Sequence, residues 1–567
     1  MKLFRFVAGA TVLASLLASE PPSVPPSPAS MHPFAGMRGE PFEVVIRGTD
    51  LGAVRSAFSE ESRLRLTVGA IEPEPPNEAN AKSKKPFELL RLRVESPSGL
   101  EPGQYDIRLV SPHGVSNALP LHIMEFPVLA EPAGSHDSEE TAVRVESAPA
   151  LYAGRIERRG EVDFYEVQAK QGQTLTFQVL SGLPAPGSPG GNARGFDPAV
   201  TIFEPSGSWF DPGHMRRVAF SDEPLWVIGR ATDTHLVHTF AKDGRYLVRV
   251  EAFSGQGSPD YSYQFRILPG EAPAPASHNP DWQERSYTRP LSANRLNELA
   301  ERGGIKPDKK SIETYRASAD GPEFRLPGTL LGTIAEPGEM QRARFQIDTP
   351  QDIAIEVETP ADDPPLFNPV VRLLNASGEE VASNLMAGRG ACSGALNKSL
   401  QAKTVVPLRD TGEYTVEIRD ATSDLAGPGF QYKVQVRPQV PHVGDVGITA
   451  DRLNLKPGGA ETVRVNFDRE EDYRGAVAVL VEGLPPGVQA LAGADFEPDK
   501  DPPMHAGKRE RYTPRRERSV VVFTASDDAR PTPEPHLARI VVRPVAGGKP
   551  GPVIASKTIP VMVVGHP

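Results

Sequence analysis

Asp197-Pro198-Ala199-Val200-Thr201-Ile202-Phe203-Glu204-Pro205-Ser206-Gly207 and Asn368-Pro369-Val370-Val371-Arg372-Leu373-Leu374-Asn375-Ala376-Ser377-Gly378 say the same thing twice. Each is a turn signal, an alternating apolar run and a Ser-Gly turn. Alternation reads as strand, because successive side chains on a strand point to opposite faces. Downstream, Asp243-Gly244-Arg245-Tyr246-Leu247-Val248-Arg249-Val250 matches Thr411-Gly412-Glu413-Tyr414-Thr415-Val416-Glu417-Ile418, and Tyr263-Gln264-Phe265 matches Tyr432-Lys433-Val434. Three landmarks in one order at similar spacing predict a duplicated all-β domain.

Working outward, 567 residues are too many for one domain and suit three to five. Proline (59) and glycine (51) are abundant without a collagen period, which predicts many turns, short strands and linkers. The net charge of −11 and pI of about 5.7 argue against a nucleic-acid partner, which asks for a basic stripe. The basic run from Lys508 to Arg518 (KRERYTPRRER) reads as an exposed charged loop rather than a nucleic-acid arm, though it suits an anionic polymer.

Lys2 and Arg5 precede an apolar run from Phe6 to Ala18, too short to span a bilayer and suited to a signal peptide over residues 1–19. The expected location is secreted or periplasmic, and no later segment is long and apolar enough to cross a membrane. Cys392 is the only cysteine, so no internal disulfide is expected; a buried filler, a free thiol and an intermolecular link are its three readings. The domains must then be held by burial, which favours units of about 100 residues.

Residues 20–30 read as a Pro/Ser linker without a core. From 31 to 126, Gly36-Met37-Arg38-Gly39, Ile46-Arg47-Gly48-Thr49-Asp50-Leu51-Gly52 and Pro112-His113-Gly114-Val115-Ser116-Asn117 mark a turn-rich β domain. It resembles an immunoglobulin-like domain of the IPT/TIG type. Residues 140–268 carry Gly154-Arg155-Ile156, Asp163-Phe164-Tyr165, Gly172-Gln173-Thr174-Leu175-Thr176-Phe177, Asp197-Pro198, Ser206-Gly207 and Gly244-Arg245-Tyr246. This run resembles the bacterial pre-peptidase C-terminal domain. Residues 327–437 resemble a degenerate second copy, with Arg344-Phe345 standing where Phe164-Tyr165 stood. Between them, 269–326 are polar, with one short helix expected from a Ser292 cap to Gly303-Gly304. Residues 440–565 read as a further sandwich, whose Gly483-Leu484-Pro485-Pro486-Gly487-Val488 bend is similar to Ig-like domains found beside sugar-processing modules. The fold class expected is all-β: tandem Ig-like and jelly-roll-like sandwiches with a short helical linker.

No G-x-S-x-G elbow, H-E-x-x-H helix, P-loop or dinucleotide motif occurs in the sequence. His235 and His238 lie three apart on an expected strand and so face opposite sides, which does not suit one zinc. The pre-peptidase resemblance implies calcium as the metal, with Asp163, Asp197 and Asp233 as candidate ligands; the plainer reading is that each closes its turn. Trp209 is the candidate for stacking on a sugar or peptide, against the alternative that it fills the sandwich edge. No catalytic centre and no other cofactor is expected. These readings predict a non-enzymatic binding or spacer protein of the envelope or exterior, with a protein or polysaccharide as partner. The alternative is an accessory or targeting subunit of an exported protease or polysaccharide-degrading system, or a cryptic hydrolase.

Overall fold

The computed structural model describes residues 24–75, 85–181, 198–205, 215–221, 234–272 except 254, 312–359, 367–389, 396–491 except 422, 423 and 425, and 515–565 except 547. All secondary structure among them is β, in 39 strands. The expected signal peptide, the helix after Ser292 and Cys392 lie outside the described residues.

The strands form because the alternation seen in the sequence has an apolar face to bury. In Glu88–Glu95, Leu90, Leu92 and Val94 are fully buried while Arg91 and Arg93 are exposed. Among the described residues four large cores are centred on Ile46, Leu92 and Leu109 in the first sandwich, Phe177, Val248 and Phe265 in the second, Ile355, Val416 and Val434 in the third, and Val465, Phe523 and Val561 in the last.

The four sandwiches are two pairs. Counting strands from the start of each sandwich, the first has the order 1-3-6-5 in one sheet and 2-9-7-4 in the other, with strand 8 on strand 7. The last sandwich has the same order throughout. In both, strand 2 runs parallel to the final strand: Ala35–Met37 beside Leu119–Met124, and Leu453–Leu455 beside Ala555–Val563. The two inner sandwiches also share one order. Ala150–Arg155, Ser262–Pro269, Thr174–Ser181 and Thr234–Thr239 follow one another across a sheet as do Gly328–Thr333, Gln431–Pro438, Gln351–Glu358 and Lys403–Leu408. The facing sheets match likewise, from Val162–Ala169 and Met340–Ile347 onward. The nesting of one pair inside the other is not apparent from the sequence.

Three boundaries differ from the sequence reading. Ser27–His32 is already a strand of the first sandwich, paired with Phe42–Thr49, so the Pro/Ser linker ends earlier. Val128–Ala130 adds a parallel edge to the second sandwich, and Glu313–Arg316 does the same for the third. Both lie ahead of the starts inferred from motifs, because a short edge strand carries too few residues to show a period.

The sandwiches are joined by polar groups held in buried geometry. Between the first and second, Arg47 reaches both Asp260 oxygens at 3.0 Å and Glu74 at 3.0 Å, beside an apolar patch of Ala35, Met124, Leu151 and Ala153. Between the third and last, the fully buried Arg437 donates to Glu471 at 2.6 and 2.7 Å and to Glu356 at 2.7 Å, with Lys403 3.0 Å from Glu471. Burial alone pushes Glu471 up, but Arg437 and Lys403 outweigh it and hold that carboxyl well below the usual range. The chain also returns on itself. Arg108 of the first sandwich pairs with Asp451 of the last at 3.1 Å, and the Asn454 amide accepts from the Val115 N–H at 2.9 Å and donates to its carbonyl at 3.0 Å.

Candidate functional site: a buried carboxyl pair in the second sandwich

The site is built where the parallel edge strand meets the first full strand. Glu131 follows Val128–Ala130 directly and donates its N–H to the Ala153 carbonyl at 2.9 Å. That places it beside Gly154, whose register partner is Tyr263. Glycine is required there by space: a Cβ on residue 154 would lie 2.3 Å from the Tyr263 hydroxyl and 2.7 Å from a Glu131 oxygen. Asp163, second in Val162–Ala169, points into the same space and is 3% exposed.

Tyr263 donates its hydroxyl to Asp163 at 2.7 Å and shares a second bond with the Tyr165 hydroxyl at 2.8 Å. Both rings are fully buried. Glu131 accepts from the Arg155 N–H at 3.4 Å and shares a side-chain hydrogen bond with Asp163. Two carboxyls withdrawn from water cannot both ionise cheaply. Burial, then the charge of Asp163, push Glu131 up to about 8. Burial pushes Asp163 up to about 6 against the hydrogen bond from Tyr263. At neutral pH the pair therefore keeps a proton. Its chemistry is that of an internal proton-holding group beneath the sheet rather than of a surface acid or base.

The third sandwich repeats the scaffold with an amide in place of the buried acid, Gln341 donating to the half-buried Glu339 carboxylate at 2.6 Å. Ala317 donates its N–H to Leu331, as Glu131 does to Ala153. Gly332 pairs with Tyr432, as Gly154 does with Tyr263. Tyr432 donates to the Gln341 side chain at 2.5 Å. Gln341 faces Ile418 in a strand pair that also joins Ile347 to Gly412; Asp163 faces Val250 in a pair that joins Ala169 to Gly244. Asp163 thus corresponds to Gln341, Glu131 to Ala317 and Tyr165 to Ala343. This corrects the motif alignment, which set Arg344-Phe345 against Phe164-Tyr165. The error is a slip of two residues, which leaves every side chain on its expected face and so escapes a pattern argument.

The other candidates fare differently. Asp197, Asp233 and Trp209 lie outside the described residues. The residues that follow the two aspartates, Pro198 and Thr234, are tied by a hydrogen bond of 2.6 Å. Calcium asks for six to eight oxygens. Glu131 and Asp163 supply two carboxylates already engaged with Arg155 and Tyr263, and among the described residues no group of three or more Asp, Glu, His or Cys is placed to hold a metal. His235 sits beside Gln178 while His238 packs edge-on against Phe240, so the two histidines do not converge. The missed residue is Glu131. It lies ahead of the motif-defined domain, and only its place after a short edge strand brings it to Asp163. A turn landmark was also broader than it looked. The tyrosine of Gly-x-Tyr donates to the carbonyl four residues back in the two inner sandwiches (Tyr246, Tyr414), and Tyr105 of the first does the same.

No family model matches the chain, and no curated protein matches it. Among solved structures it is similar to the pre-peptidase C-terminal domain of a Bacillus anthracis collagenase, at 12% identity over 23% of this chain and 100% of that one, with a TM-score of 0.14. A surface layer protein (domains 1-6) is similar at 8% identity over 96% of this chain and 55% of its own, with a TM-score of 0.15; the chain spans about half of it. A Bacteroides ovatus protein of a mixed-linkage glucan utilization locus is similar at 9% identity over 71% of each chain, with a TM-score of 0.13. At such scores these likenesses carry no argument, and the all-β sandwich architecture rests on the strands and sheets themselves.

Proposed function

We propose that this is an exported, non-enzymatic binding or spacer protein of the cell envelope or exterior, with inner sandwiches of the pre-peptidase C-terminal type. Its partner is a protein or polysaccharide of that compartment. The observation that carries the reading is the return contact of the first sandwich on the last, through Arg108–Asp451 and Asn454–Val115. Together with the buried Arg47 and Arg437 joints it holds four sandwiches in fixed relation. A buried ion pair is costly unless its geometry is held, so it favours one arrangement of the domains over many. Fixed spacing suits presentation or bridging.

The test is to incubate the purified chain with envelope polysaccharides and exported proteins, following co-sedimentation and release of hydrolysis products together. Binding without hydrolysis supports the reading. Hydrolysis that survives repurification and is abolished by one substitution overturns it in favour of a cryptic hydrolase.

A further inference from the structure

The first and last sandwiches carry the same half-face, and only one of the two is covered. In the first, Gly103–Ser111 turns back through Gly114–Val115, pairing Val110 with Val115 and Ser111 with Gly114. In the last, His536–Ala546 turns back through Lys549–Pro550, pairing Val545 with Pro550 and Ala546 with Lys549. Two residues before Val110 stands Arg108, which donates to the Ser116 carbonyl at 3.2 Å; two residues before Val545 stands Arg543, which donates to the Gly551 carbonyl at 3.1 Å. The carbonyl belongs to the residue after Val115 in one case and after Pro550 in the other. The two arginines are structural counterparts.

On the first sandwich this half-face is occupied. Val110 and Val115 are buried against Met562 and Val564 of the last sandwich, with Phe58 beside them. Asp451 meets Arg108, and Asn454 bridges both backbone groups of Val115. The occupant is therefore an edge of the last sandwich, made of Leu453–Leu455 and the end of Ala555–Val563. On the last sandwich the counterpart half-face is open. Among the described residues, Lys549 and Pro550 are exposed where Gly114 and Val115 are buried, Val545 is half-buried where Val110 is buried, and Leu480, two pairs beyond the Ala478–Arg543 pair, is 39% exposed. The Arg543 Nε is buried and has no hydrogen-bond partner.

We propose that the open half-face of the last sandwich is a docking surface for the Asp451–Asn454–Met562 edge of a second copy of this chain. Val545 and Pro550 stand where Val110 and Val115 hold the edge on the first sandwich, and Arg543 stands ready for an aspartate as Arg108 does. Each chain has one such edge, and its own first sandwich already holds it. The internal contact and the external one therefore compete. A closed chain stays single. A chain whose internal contact is released offers its edge to the next copy. That contact joins two different surfaces, so it propagates head to tail rather than closing on itself.

Sedimentation velocity on the full chain tests this across micromolar to submillimolar concentrations. Val115→Glu places a carboxylate against Met562 and Val564 and frees the edge. The expected result is a wild-type chain that stays monomeric, a Val115→Glu chain whose average mass at least doubles with concentration, and a return to monomer when Arg543→Glu or Leu480→Glu is added. A Val115→Glu chain that stays monomeric overturns the proposal, as does association that persists with Arg543→Glu and Leu480→Glu present. Should Val115→Glu unfold, a disulfide exchange gives an independent answer. A Cβ at Gly114 would lie 2.4 Å from the Asn454 side chain, and Lys549 is the counterpart of Gly114. In a Cys392→Ser, Arg108→Ala background, which releases the Arg108–Asp451 pair that holds the edge internally, Asn454→Cys chains mixed with Lys549→Cys chains are expected to form a mixed disulfide dimer on mild oxidation. Absence of that dimer overturns the proposal.

Discussion

Asp163 and Gln341 occupy one structural position in two copies of the same sandwich, and each accepts the hydroxyl of a buried tyrosine, Tyr263 at 2.7 Å and Tyr432 at 2.5 Å. Around Asp163 the scaffold holds a second carboxyl, Glu131; around Gln341 it holds the methyl of Ala317. The third sandwich thus puts an amide where the second has a buried acid, and that amide donates to the half-buried Glu339 carboxylate at 2.6 Å.

The second sandwich should lose stability as pH rises. Glu131 and Asp163 have folded-state values above their unfolded ones, at about 8 and about 6. Their contribution is fully present below the ordinary carboxylate range and is lost as pH rises through those values. Glu131→Gln should therefore melt like wild type near pH 4 and more stably near pH 8, by on the order of 2–4 kcal/mol. Thermal unfolding of both chains at the two pH values measures this; an equal difference at both would refute it.

Gln341→Glu imports the charge into the third sandwich. The new carboxylate would be buried beside Tyr432 and lie against Glu339, which now accepts from the Gln341 amide at 2.6 Å, so it should destabilise by about 2 kcal/mol near pH 8 and less near pH 4. Hydrogen exchange in Met340–Ile347, compared between variant and wild type at each pH, reports it.

Gly154→Ala and Gly332→Ala should each destabilise by about 1–3 kcal/mol, since the added carbon falls 2.3 and 2.2 Å from a tyrosine hydroxyl and the core must shift. Protease susceptibility should rise in the sandwich that carries the substitution. Equal susceptibility to wild type would show that the tyrosine can move aside.

Arg437→Ala should separate the melting of the third and last sandwiches. It leaves the buried Glu471 and Glu356 with Lys403 alone as cation, a loss of about 3 kcal/mol at neutral pH. Glu471 is held low in the fold, so the joint's contribution is present above the ordinary carboxylate range and is lost as pH falls through the folded value. Calorimetry should resolve an extra transition in the variant at pH 7. A single unchanged transition would rule out this role for the joint.

Much of the fold was legible because burial leaves a period. Leu90, Leu92 and Val94 alternate with Arg91 and Arg93, and the strand follows. The inner duplication was legible because Gly-x-Tyr and the Pro-initiated strands recur in order. The candidate site was half legible. Asp163 stood in a motif, whereas Glu131 stood outside every motif and 32 positions away in the chain.

By itself, the sequence determined the all-β character and the presence of two like inner modules, since both depend on neighbours two residues apart or on landmarks within one strand. Tertiary structure alone decided the register that sets Gln341 against Asp163, the kinship of the first and last sandwiches, and the meeting of Arg108 with Asp451 across 343 positions. The physical reason is common to all three. A shift of two residues preserves every inward and outward face, and the choice of partner across hundreds of residues depends on complementary surfaces, not on local period.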